Sequence, residues 1–146
     1  MTEGLKALIV EDSEDDAQLL LRELRRGEYL VTFERVENAE QMSRALAHEK
    51  FDIVFAEYSL PQFDAPRALE LLRQSGNDIP FIIVSGTVSE DVAVLAMKAG
   101  AHDYLTKCNL KRLLVAVQRE LKEAQQRDAH RKADEALLIS DAQYRM

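Results

Sequence analysis

Five side chains in this sequence have the types needed to handle a phosphoryl group: Glu11, Asp12, Glu57, Ser85 and Lys107. Each stands at or just after the end of a short apolar run. Three carboxylates at close quarters raise one another's pKa unless a cation intervenes. Mg²⁺ is the natural cation, being hard, octahedral and content with one or two carboxylates plus waters and phosphate oxygens. A lysine ammonium can hold a carboxylate or phosphoryl oxygen as a point charge, and a serine hydroxyl can donate to a further oxygen. Phosphoryl transfer asks mainly for such positioning and charge stabilisation. Each residue alone has an ordinary explanation: helix-start anions for Glu11 and Asp12, a turn for Ser85-Gly86-Thr87, a surface lysine for Lys107. Their conjunction at several strand ends carries the reading.

The elements that must bring them together are legible from periodicity. Strands are expected over residues 5–10, 29–36, 51–56, 81–84 and, more weakly, 103–105. Helices are expected over 14–26, 39–49, 65–74 and 90–99. In the first helix Ala17, Leu20, Leu21 and Leu24 recur at the spacing of one buried face. Ser13 and Ser89 precede acidic residues, as N-caps do. Gly27, Gly76 and Gly100 stand where helices should stop, and Pro80 opens the fourth strand. Strand–helix alternation of this kind predicts a doubly wound five-stranded parallel sheet with helices on both faces. Its central strands are apolar throughout because both faces are covered. In such sheets ligands bind beyond the carboxyl ends of the strands, which is where the five residues fall.

Bulk properties narrow the classes. At 146 residues and 47% hydrophobic, the chain suits one compact domain with an appendage. The formal net charge of −7 argues against direct contact with nucleic acid. One cysteine, Cys108, excludes an internal disulfide. No apolar run approaches the ~18 residues of a membrane span, and the N-terminus lacks a signal-peptide core; a cytoplasmic location is expected. His48, His102 and His130 share no ligand spacing. Met42 and Met97 read as core filler.

The last helix is expected to start near Asn109, with Leu110, Leu113, Leu114, Val117 and Leu121 as its core stripe, and it has no stop signal. Beyond Ala124 neither Gly nor Pro interrupts it, and Glu123–Arg127 and Asp128–Lys132 are spaced as i,i+4 ion pairs. The expected division is a domain over 1–124 and a helical linker over 125–146 that leads into a downstream domain. The linker has the composition to pair with its copy in a homodimer.

Read together, these segments resemble the receiver domain of two-component response regulators. The matching text is Ala7-Leu8-Ile9-Val10-Glu11-Asp12, Asp52-Ile53-Val54-Phe55-Ala56-Glu57-Tyr58-Ser59-Leu60-Pro61, Ile83-Val84-Ser85-Gly86-Thr87, and Lys98-Ala99-Gly100-Ala101-His102-Asp103-Tyr104-Leu105-Thr106-Lys107. The resemblance spans about residues 4–124 and implies a flavodoxin-like fold of strand order 2-1-3-4-5. It implies that Glu11 and Asp12 bind Mg²⁺, with Glu57 at the phosphoacceptor position and the Ser59 backbone carbonyl completing the protein ligands. Ser85 and Lys107 would contact the phosphoryl group, and Tyr104 would reorient on activation. The implied partner is a histidine kinase or phosphotransfer protein, and the implied role is that of a phosphoacceptor rather than an enzyme. A homodimer would use the C-terminal helix or the face of the last two helices. The run through Ser140-Asp141-Ala142-Gln143-Tyr144 looks like the lead-in to a PAS domain.

Three departures stand out. The family's acceptor aspartate is Glu57 here; the glycines after Leu60-Pro61 are Gln62 and Ala65, which stiffen that loop; the proline after the lysine is Cys108. Glu57 is a phosphomimetic, an acceptor that works poorly, or the mark of a pseudo-receiver that acts as a phosphorylation-independent interaction module. The first reading predicts that Glu57 engages Lys107 or Ser85. A carboxylate-nucleophile phosphatase would want Asp at 57 and a second acid two residues on, where Ser59 stands. An FMN-binding flavodoxin would not place Glu11 through Asp16 where its phosphate must lie.

Overall fold

The computed structural model describes residues 3–58, 60–86 and 90–144; the side chains of residues 3 and 139–144 lie outside that description. Five strands and five helices alternate: β1 (Glu3–Val10), α1 (Glu14–Arg26), β2 (Tyr29–Val36), α2 (Ala39–His48), β3 (Ile53–Ala56), α3 (Ala65–Gln74), β4 (Phe81–Ser85), α4 (Glu90–Ala99), β5 (Asp103–Thr106) and, after a 3₁₀ turn at Leu110–Arg112, α5 (Leu113–Tyr144). All strand pairings are parallel, in the order β2-β1-β3-β4-β5. The parallel sheet is the one expected from the residues, and its flavodoxin-like order is the one the resemblance implies.

Side-chain alternation along β1 divides the core in two. Leu8 and Val10 face one layer with Met42, Leu69 and Ala96 from α2, α3 and α4. Leu5, Ala7 and Ile9 face the other, with Leu20, Leu21 and Leu24 of α1 and Leu113 and Val117 of α5. Every residue of β3 and β4 is buried, as strands covered on both sides require.

Local signals behave as expected at most element ends. Ser13 Oγ accepts the Asp16 N–H at 3.2 Å and caps α1. Ser13→Ala is expected to cost about 1 kcal/mol, seen in urea unfolding as a lower midpoint with an unchanged slope. Asn38 and Asp64 cap α2 and α3 in the same way; the cap expected at Ser89 falls outside the described residues. Gly76 (φ +79°) and Gly100 (φ +111°) follow α3 and α4 in the left-handed conformation. After α1 that conformation falls to Glu28 (φ 67°). Gly27 still ends α1 as its C-cap, its N–H bonding to Leu24 O at 3.1 Å. Its lack of a side chain meets a second need, because a Cβ there would meet the Leu114 side chain of α5 at 2.3 Å.

Two expectations fail. Met97 is 46% exposed, because α4 turns only Ala96 fully inward and leaves Val94, Leu95 and Met97 in solvent. Arg127 does not pair with Glu123; its Nε donates to Asp78 Oδ2 at 3.1 Å, in the loop before β4. The expected Asp128–Lys132 pair does form, at 3.1 Å. Arg119 likewise ties α5 to Asp103 at 2.8 Å. The helix therefore runs past residue 124 without a break, fastened to the sheet by arginines as well as by its apolar stripe. No described helix is long and apolar enough to cross a membrane.

Candidate functional site

Register places the reactive residues at one end of the sheet. Val10 lies opposite Ala56, and Ser85 opposite Thr106. Backbone bonds extend the ladder by one residue on each strand: Glu57 N–H donates to Val10 O (2.9 Å), Glu11 N–H to Val36 O (3.0 Å) and Lys107 N–H to Ser85 O (2.7 Å). Glu11, Glu57 and Lys107 are thus held by the sheet itself, on backbone that cannot shift without breaking ladder bonds.

Their side chains converge. Lys107 Nζ lies 2.7 Å from Glu11 Oε1, 2.6 Å from Asp16 Oδ2 and 3.4 Å from Glu57 Oε2. Ser85, fully buried, donates its hydroxyl to Glu57 Oε1 at 3.5 Å. Glu57 therefore engages both Lys107 and Ser85, each at long range. The walls are apolar: Leu20, Phe55 and Val84 surround a cavity of about 20 Å³, room for one water or ion. Among charged residues in this pocket Glu11 is the most enclosed, at 4% exposure. Burial pushes its carboxyl up from 4.5 to about 7 despite the hydrogen bond to Lys107. Asp16, more open to solvent, is held below its usual value by its hydrogen bond to the same ammonium. The Lys107 ammonium is stabilised by Asp16 and Glu11, which outweigh its burial and raise its pKa.

Other expected members stand differently. Asp12 is exposed and is not among the carboxylates that hold Lys107. Tyr104, half-buried, packs against the core layer beneath α2, α3 and α4. Ser59 falls outside the described residues. Ala65 is the buried first residue of α3 and its N–H bonds to Tyr58 O at 3.2 Å, so that position belongs to the helix start. His102 is structural: its Nδ1 accepts the Phe81 N–H at 3.0 Å, and burial lowers its pKa. Cys108 is exposed.

Two site residues escaped the sequence reading. In the sequence Asp16 reads only as one of a run of acids after strand one; the Ser13 cap, which its N–H completes one helical turn from the loop, is the signal that points to it. Arg35, on the edge strand β2, donates from Nη1 to Glu11 O at 3.1 Å and to Asp12 O at 3.5 Å. It anchors the loop that presents both acids, and nothing local to residue 35 announces that.

Among the described residues no three His, Cys, Asp or Glu side chains are grouped as metal ligands. Two buried carboxylate oxygens of this pocket nevertheless have no hydrogen-bond partner, Glu11 Oε2 and Glu57 Oε2. Such oxygens beside an ion-sized cavity suit a hard cation such as Mg²⁺.

The response regulator receiver domain model matches residues 7–118. The chain is 32% identical over 102 residues to the response regulator protein PilR of Pseudomonas aeruginosa, covering 70% of this chain and 22% of that protein. It is 32% identical over 105 residues to the transcriptional regulatory protein PrrA of Mycobacterium tuberculosis, covering 70% and 43%. The chain therefore spans between about a fifth and a half of the length of these curated relatives. Among solved structures, it resembles the signal receiver domain of a LuxO repressor protein of Vibrio parahaemolyticus (TM-score 0.74, 27% identity, 86% of this chain and 95% of that one). A second is a response regulator protein from Burkholderia pseudomallei with a phosphorylated aspartic acid, calcium ion and citrate (TM-score 0.65, 26% identity, 87% and 74%). With the family model matched over most of its length and the parallel sheet order β2-β1-β3-β4-β5, this chain belongs to the response regulator receiver domain family.

Proposed function

We propose that this chain is the phosphoryl-signalling input segment of a longer two-component protein, with Glu57 standing in the acceptor's place as a non-phosphorylatable, partly phosphomimetic carboxylate. The observation that carries the reading is the placement of Glu57 at the end of β3 between Ser85 and Lys107, 3.5 Å and 3.4 Å away. Those are the two groups that would contact a phosphoryl group. Glutamate extends its carboxylate by one C–C bond, ~1.5 Å, toward where phosphoryl oxygens would sit, but carries one negative charge against the ~1.5–2 of a phosphate. The imitation is therefore incomplete, in keeping with the length of both contacts.

In this reading Glu11, Asp12, Glu57 and the Ser59 carbonyl hold Mg²⁺, which when bound neutralises charge at the acceptor; Asp12 turns inward from its exposed position to do so. Tyr104 reports the state of the pocket to the α4–β5–α5 face. The cognate donor is a histidine kinase or phosphotransfer protein, and the setting is cytoplasmic. Residues 1–124 form the receiver and 125–146 a helical linker into a downstream module, for which a PAS domain is the candidate. The relatives' greater length supports a larger protein. Homodimerisation through α5 or the α4–α5 face is supported by Val94, Leu95, Met97, Leu137 and Leu138, all large apolar side chains left in solvent. Sedimentation at high protein concentration is expected to give a dimer, and a chain that stays monomeric would remove that part.

The deciding experiment compares the chain with Glu57→Asp in a small-molecule phosphodonor with Mg²⁺, read by intact mass. An adduct on the Asp form alone supports the proposal. No adduct on either makes the domain a phosphorylation-independent interaction module instead.

A further inference from the structure

We infer that Asp16 is a positioning residue for Lys107: it holds the ammonium at the α1 side of the pocket and so limits how much of it residue 57, or a phosphoryl group there, receives. The inference deepens the receiver reading of the same pocket and rests on it. Lys107 makes its shortest contact with Asp16, at 2.6 Å, and its longest with Glu57, at 3.4 Å. Both ends of the short contact are fixed by backbone. The Asp16 N–H is tied to Ser13 Oγ in the cap of α1, and the Lys107 N–H to Ser85 O on β4. The ammonium has three protons to give, and its hydrogen bonds go to Asp16 and Glu11. Glu57 Oε2 meets it only as a longer ion pair and is buried without a hydrogen bond. Asp16 is the one of the three carboxylates with ready access to water, its side chain 35% exposed against 5% for Glu11 and 13% for Glu57. It can release Lys107 into the pocket and be resolvated, which the two enclosed glutamates cannot do cheaply. A phosphoryl group at position 57 would therefore compete with Asp16 for this lysine.

Crystal structures of the chain and of Asp16→Asn, grown under the same conditions, test the placement. The expected result is Lys107 Nζ within hydrogen-bond distance of Glu57, about 3 Å, in the variant alone; an unmoved Lys107 overturns the inference. The consequence is tested in the Glu57→Asp chain with a phosphodonor and Mg²⁺. There Asp16→Asn should lengthen the lifetime of the phosphorylated form on the order of fivefold, the scale of one partly exposed ion pair. Asp16→Glu should restore it, and the effect should vanish when Lys107→Met is added. An effect that persists without Lys107 marks Asp16 as merely structural and overturns the inference. If Glu57→Asp takes no phosphate, the receiver reading falls, and the two crystal structures still decide the role of Asp16.

Discussion

Glu57→Asp is expected to gain an adduct of about 80 Da from a small-molecule phosphodonor and Mg²⁺, at a rate at least ~10²-fold above that of the unaltered chain. The size of the effect follows from reach. The backbone of residue 57 is pinned by its bond to Val10 O, so the extra methylene of glutamate cannot be absorbed by moving the chain. It drives the carboxylate toward Ser85 and Lys107, into space that an incoming phosphoryl group needs. In-line attack tolerates little error, and a misplacement of ~1 Å can cost 10²-fold. Aspartate withdraws the nucleophile, opens that space and leaves Ser85 and Lys107 facing it. Time-resolved intact mass of the two chains measures the ratio. Equal rates would show that the pocket adapts to glutamate and that Glu57 is a working acceptor.

The second large effect concerns Glu11 and pH. Its carboxyl titrates at about 7 in the folded chain against 4.5 ordinarily, so between those values the folded protein keeps a proton that the unfolded chain has lost. Stability contributed by this group is complete below pH 4.5 and is lost as pH rises toward 7. The full difference corresponds to roughly 3 kcal/mol. Glu11→Gln stays neutral throughout and lacks this loss. Urea unfolding at steps from pH 4.5 to 7 should therefore show the variant gaining on the unaltered chain as pH rises. His102 acts in the opposite direction: burial lowers its pKa, so its contribution is present above pH 6.5 and is lost as pH falls. His102 is common to both chains and cancels in the difference. Parallel curves would show that Lys107 keeps Glu11 ionised at all these pH values.

Local sequence patterns specify the elements, their order and the candidate pocket. β2, α1, α3 and α4 lie over the expected residues, and β1, β3, β4, β5 and α2 differ by at most two residues at an end; only α5 begins later than expected, at Leu113 after the 3₁₀ turn at Leu110–Arg112. The reason is that a strand's apolar run, a helix's three/four stripe, and an Asx or Ser cap act within a few neighbouring residues. Strand ends can be counted out for the same reason, which places Glu11, Glu57, Ser85 and Lys107 at one end of the sheet.

Tertiary structure decided which long side chain meets which partner. Arg127 was spaced to meet Glu123 on its own helix and instead reaches Asp78, because α5 lies against the loop before β4. Met97 has the composition of a core residue, but α4 turns another face to the sheet. Lys107 and Asp16 are 91 residues apart and meet because β5 and α1 converge at the carboxyl end of the sheet. A lysine side chain can swing several ångströms about its backbone anchor. Its choice among Asp16, Glu11 and Glu57 depends on how deeply each carboxylate is buried and how far each lies, and both follow from the packing of α1 on the sheet.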